Sequence, residues 1–126
     1  MLNVRFRALT ANSKQVRTNL LESQVVRIQR KHAEALKKRM QHYPPPISDT
    51  YVRTFDLQRG WRVPPTSNVA SGIITILVND VTYAGFVQGP QQTLIHRGRW
   101  LVLSEAVDRS SYHSDLRAMM KGLVIR

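Results

Sequence analysis

The hydrophobic pattern changes period along the chain, and each period predicts a different element. From Ser13 to Met40 apolar residues recur at helical spacing, with no Gly or Pro between them. At ~100° per residue, Leu21, Val25, Ile28, His32, Ala35, Leu36 and Met40 share one side, while Arg27, Arg30, Lys31, Lys37 and Lys38 fall opposite. This predicts one long amphipathic helix, for which Thr10, Asn12 and Ser13 are all acceptable N-caps. Its leucines and Met40 read as core side chains. Pro44, Pro45 and Pro46 end it by removing donors and forcing extended geometry, and read as a helix stop plus a stiff spacer. Asp49 or Thr50 then caps a short helical turn. Phe55, Leu57 and Trp61 follow as apolar anchors, with Arg53, Arg59 and Arg62 between them. Interleaved rings and cations can stack on bases. A small domain also needs large side chains to close its core, and burial of Phe55 and Trp61 is the expectation.

Beyond Trp61 the pattern becomes β-like. Trp61 to Val63 predicts a short strand stopped by Pro64 and Pro65, followed by a polar loop from Pro64 to Gly72. Gly72 to Val78 is dense in β-branched residues and predicts a central strand. Asn79-Asp80 predicts a two-residue hairpin turn, since both residue types tolerate positive φ. Val81 to Val87 is then the returning strand, with Gly85 marking a bulge or a close backbone approach. Gly89-Pro90 breaks it, and Gln88 to Arg99 is an exposed loop. Trp100 to Asp108 reads as helix, with Leu101, Val102, Leu103, Ala106 and Val107 partly buried. Ser110 or Ser111 interrupts it, and Ser114 to Leu123 adds a further helical turn or two.

A length of 126 residues fits one domain with a single modest core, and the apolar fraction of 42% is that of a globular chain. The absence of cysteine excludes disulfides, thiolate metal sites and cysteine nucleophiles. The segment MLNVRFRAL carries charges inside its apolar stretch and makes a poor signal peptide. The apolar run from Ile73 to Val78 is far too short to span a bilayer. A soluble protein made in a cytoplasm, without a membrane partner, is the expectation. Charge sharpens this picture. The net charge is +11, and residues 1–42 hold ten basic and two acidic side chains, a balance of +8. The cationic helix face is either a solvated surface or one that meets a polyanion, nucleic acid before anionic membrane.

Catalytic patterns are missing. His32, His42, His96 and His113 have no zinc-ligand spacing with a nearby acid, and no HExxH, GxSxG, Walker loop or GxGxxG occurs. His96 with Arg97, Arg99 and Tyr83 is the nearest approach to a general base with a phosphate clamp, as in a ribonuclease. The plainer reading places them in a polar loop that contacts a partner. No enzyme activity, no metal and no cofactor is expected.

The segments YVRTFDLQRGW, NDVTYAGFVQG and HRGRW stand in an order and spacing that resembles a family of tailed-bacteriophage neck or minor tail proteins, the head–tail joining or tail-completion proteins. Arg53, Thr54, Leu57, Arg59 and Trp61 match one family motif, and Tyr83, Ala84, Phe86, Val87 and Gly89 match the next. The usual glycine of the first motif is replaced here by Phe55 or Asp56. Gln88 stands where many members carry an acid. The resemblance covers roughly Ser13 to Val107. It implies an α+β fold, with a long N-terminal helix packed on a small antiparallel sheet and a C-terminal helix. It also implies a non-enzymatic role in a six- or twelve-membered homo-oligomeric ring, set in the virion neck between a portal-side connector or adaptor and the tail terminator or tail tube proteins.

The expected organisation is a single domain: an N-terminal arm (1–12), the long basic helix (13–42), a Pro-rich linker with a short helical turn (43–60), a β-sheet with loops (61–99) and a C-terminal helical segment (100–126). Asn68, Gln88, Gln91, Gln92, His96, Arg97 and Arg99 are the candidate interface residues on the loops. A closed ring needs one patch meeting a different patch, which suits such loops. The cationic helix face would touch phosphates of packaged double-stranded DNA without reading bases, or an acidic face on a neighbouring ring. The alternatives are a basic nucleic-acid-binding protein using the helix 13–40, and a tail terminator ring protein.

Overall fold

The computed structural model describes residues 2–8, 19–44, 55–69, 72–97 and 99–124. Strand β1 (Leu2–Ala8) precedes helix α1 (Asn19–Met40), the short helix α2 (Asp56–Arg59), strands β2 (Trp61–Arg62), β3 (Ser67–Val69) and β4 (Gly72–Asn79), and helix α3 (Ala84–Gln88). A 3₁₀ turn (Leu94–His96), helix α4 (Leu103–Ala106) and helix α5 (Arg109–Val124) complete the chain. The fold is α+β, with α1 packed on an antiparallel sheet and α5 packed on α1.

β4 is the central strand, as its β-branched composition predicts. β1 pairs along its whole length, from Leu2 opposite Asn79 to Ala8 opposite Ile73. β2 and β3 share its other edge. Residues 2–8 are thus a strand rather than an arm. Alternation sets their facing: Leu2 and Phe6 are buried while Asn3, Arg5 and Arg7 are exposed. This strand also explains why Val81 to Val87 is not a returning strand. Both edges of β4 are occupied, so a hairpin partner has no place to pair. The chain instead leaves the sheet at Asn79, whose amide donates to the Leu57 carbonyl (2.8 Å) and whose Oδ1 accepts from the Val81 N–H (3.0 Å). That turn replaces the expected hairpin and leads into α3. The expected polar loop after Pro64 contains β3.

α1 buries Val25, Gln29, His32, Ala33, Leu36 and Met40. The stripe is shifted from the expected one: Ala35 is exposed and Ile28 half-buried, while Gln29 and Ala33 face the core. The expected start at residues 13–18, the side chain of Leu21, and the turn at Asp49 or Thr50 lie outside the described residues. The core gathers Leu2, Phe6, Leu36, Met40, Leu57, Trp61, Leu77, Leu103 and Tyr112 with smaller neighbours. Helix α4 is shorter than predicted. Trp100 and Leu101 precede it, and Leu101 is exposed. No break occurs at Ser110 or Ser111. The Asp108 carboxylate accepts from the Ser111 N–H (3.0 Å), so the serines sit in the capped first turn of α5, where they are well tolerated.

Candidate partner-binding surface

The second motif folds as a buried base that carries exposed rings. Ala84, Val87, Gln88 and Gly89 face inward, and Tyr83 and Phe86 face outward with 41% and 48% of their surface exposed. A Cβ on Gly89 would come within 2.6 Å of Leu2 Cδ2, so the absence of a side chain lets α3 close down on β1. Gln88 is wholly buried. Its amide donates to the Met40 carbonyl (3.1 Å) and its Oε1 accepts from Trp61 Nε1 (3.3 Å). It is therefore a structural link between α1, β2 and α3 and no interface residue. A buried position between an unpaired helix-end carbonyl and an indole N–H requires both a donor and an acceptor, which a carboxylate lacks.

Phe55 is the counterpart in the first motif. Contrary to the expectation of burial, it is 42% exposed, whereas Leu57 and Trp61 are buried. Its backbone lies in the left-handed region, with φ 62° and ψ 15°, immediately before α2. Glycine is at ease there and a bulky residue is strained. The phenylalanine stands where the resembling family has glycine, and the turn keeps a glycine-like conformation. Arg59 is exposed on α2. Arg53 and Thr54 lie outside the described residues.

These rings line a cleft of about 290 Å³, closed by Tyr43, His96 and Trp100 with Asp56 and Thr93. Tyr43 and Phe55 lie nearly parallel, their centroids 5.9 Å apart and planes 11° off. Trp100 meets Tyr43 edge-on at 4.5 Å, and His96 meets Trp100 edge-on at 6.1 Å. Burial, and next the positive charge of Arg99, push the His96 imidazole below its ordinary pKa, so the ring is neutral at pH 7. The loop behind it is pinned by Gln92, whose amide donates to the carbonyls of Val87 (2.7 Å) and Trp100 (3.1 Å). Gln92 is thus half structural. Asn68, Gln91 and Arg97 are exposed, and Arg99 is half-buried. Sequence reasoning missed Tyr43 and Trp100 as partners of the motif rings. Both follow element ends, and no periodicity connects them.

The cationic face of α1 is less open than its spacing suggests. Arg27 and Lys38 are exposed and Lys37 half-buried. Arg30 donates to the carbonyls of Pro64 (3.0 Å) and Val63 (3.4 Å), tying the helix to the segment after β2. Lys31 reaches Asp115 on α5 (3.4 Å). Arg39 donates to the Ala106 carbonyl (2.8 Å). Among the described residues no three His, Asp or Glu side chains converge as a metal site. No described helix is long and apolar enough to cross a membrane.

His32 Nε2 lies 2.6 Å from Asp115 Oδ2 and its ring packs edge-on against Tyr112. This hydrogen bond is the main reason the Asp115 carboxyl sits below its ordinary value of 3.8, helped by Lys31. A depressed carboxylate pKa stabilises the fold fully above the unfolded value and loses that contribution as pH falls through the folded value. Chemical denaturation should therefore show the wild-type midpoint dropping below pH 3.8, with a smaller drop in Asp115→Asn. Identical acid limbs for the two proteins would remove His32–Asp115 as a stabilising link.

The chain matches no family model, no curated protein and no solved structure.

Proposed function

We propose that this protein is a structural subunit of a tailed bacteriophage. It would assemble as a six- or twelve-membered ring in the virion neck, joining the portal-side connector to the tail without catalysing a reaction. The observation that carries this reading is the split within the resembling motifs. Leu57, Trp61, Ala84 and Val87 are buried and rigidly anchored, while Tyr83 and Phe86 are held outward on that base. Exposed large rings on a fixed platform suit a heterologous contact in which one patch meets a different patch of the next copy. The +11 net charge suits a subunit placed beside packaged DNA or an acidic neighbouring ring. Three of the α1 cations are engaged within the fold, which weighs against the helix as a free duplex-binding surface.

Sedimentation velocity and negative-stain images of the purified protein, alone and with its connector and tail, test the proposal. Closed rings are expected. Phe86→Ala should weaken assembly while changing folding stability by less than about 1 kcal/mol, because the ring is half exposed. A protein that stays solitary at all concentrations and binds neither connector nor tail ends the proposal. Salt-sensitive duplex binding by that solitary form would establish the nucleic-acid-binding alternative instead.

A further inference from the structure

We propose that the aromatic cleft between α2, α3 and Trp100 is a guanidinium-binding site that receives an arginine side chain from a neighbouring copy of this chain. The inference rests on the ring reading above and specifies the contact that would close the ring.

The cleft's chemistry selects a cation. Its walls are ring faces, and perpendicular neighbours such as Trp100 and Tyr43 turn two faces toward one corner. The face of an aromatic ring is its negative side, and a cation placed over it is attracted. Asp56 stands among the lining residues, whereas none of them is Lys or Arg. With His96 neutral, nothing within the lining opposes a positive guest. Arg99 lies in the adjoining groove, with Arg97 and Glu105. The volume of about 290 Å³ falls at the small end of ligand pockets, which run from ~300 Å³ upward, and suits one inserted side chain.

The donor follows from the composition. The chain has fourteen arginines and five lysines, against eight acids. Several of those acids already have internal work: Asp80 pairs with Arg62, Asp115 with His32 and Lys31, and Asp108 caps α5. Copies at +11 repel one another unless their cations find partners, and carboxylates are scarce. Ring faces supply the missing partners, and arginine stacks on them better than lysine because its head is planar and weakly hydrated. Exposed arginines are plentiful, among them Arg5, Arg7, Arg27 and Arg109.

Phe55 gives an independent indication. A bulky side chain held at φ 62° costs conformational energy that glycine at this position would avoid. Its ring stacks with Tyr43 and is left substantially in solvent, at the mouth of the cleft. Local strain kept for an exposed ring points to a role in contact rather than in folding.

The test uses N-acetyl-arginine methylamide as the probe, followed by tryptophan emission, since Trp100 forms a wall of the cleft. The neutral citrulline analogue is the control. Saturable binding of the arginine probe is expected, weakened roughly tenfold or more for the citrulline analogue. Asp56→Asn and Phe55→Gly should each reduce probe binding, and Phe55→Gly should do so without lowering the urea midpoint. Equal responses to the two probes, or none, would overturn the inference. Rings that form as readily from Asp56→Asn and Phe55→Gly as from the wild type would also overturn it and leave the neck reading intact. Probe binding by a chain that never forms rings would instead overturn the neck reading and remove the second copy as donor.

Discussion

Trp61→Ala should lower folding stability by about 3–5 kcal/mol, the range for deleting a buried aromatic ring. The indole is 2% exposed and packs in the main core, so its removal leaves a void that the neighbours fill only in part. It also removes the donor to Gln88 Oε1. A buried acceptor left without a partner carries a desolvation cost of its own, on the order of 1–3 kcal/mol. A small domain has ~5–15 kcal/mol in total, so the variant should populate unfolded chain in mild urea. Urea titration by circular dichroism measures the shift in midpoint. A loss below about 1 kcal/mol would show that the ring contributes little to the core.

The second large effect is expected at Gln29, which links helix to sheet. Its side chain is fully buried on α1, with the amide donating to the Ile73 carbonyl (2.9 Å) and to Tyr112 Oη (3.1 Å). Its Oε1 accepts from Thr75 Oγ1 (2.8 Å), and Tyr112 Oη donates onward to the Arg7 carbonyl (2.8 Å). The network thus joins β1, β4, α1 and α5. Burial raises the Tyr112 pKa above its usual value, so the phenol stays a neutral donor well past pH 7. Gln29→Leu keeps the volume and removes the polar atoms, and should cost about 2–3 kcal/mol through the orphaned partners. Pairing it with Thr75→Val should recover part of that loss, because two apolar groups facing one another leave fewer unmet demands. Strictly additive losses in the double mutant would mean that the two side chains act independently.

The sequence pattern revealed the long helix, the central strand and the α+β class because each rests on a run of one period. It concealed the partner of that strand. Leu2, Val4, Phe6 and Ala8 alternate with Asn3, Arg5 and Arg7, a period-two signal in plain view. The stretch was weighed only as a leader, and the sheet was closed with the next segment in sequence instead. Local succession favours hairpins, whereas pairing is decided by which edge remains free. Gln29 was invisible for a different reason: a buried amide breaks the hydrophobic stripe, and only its three partners reveal why it is tolerated. The candidate site was half legible. Its ring residues stand in the motifs, but their outward orientation depends on Gln88 and Gly89, whose roles appear only once α3 is packed against β1 and α1.

The pairing of Leu2 with Asn79 has a consequence during synthesis. The first strand leaves the ribosome long before the fourth exists. At ~5–20 residues per second, the interval is on the order of several seconds. Throughout it the inner side of α1 has no sheet to cover. Closing so long a loop makes this pairing a late and slow event, and the nascent chain is most open to aggregation or chaperone capture just before β4 emerges.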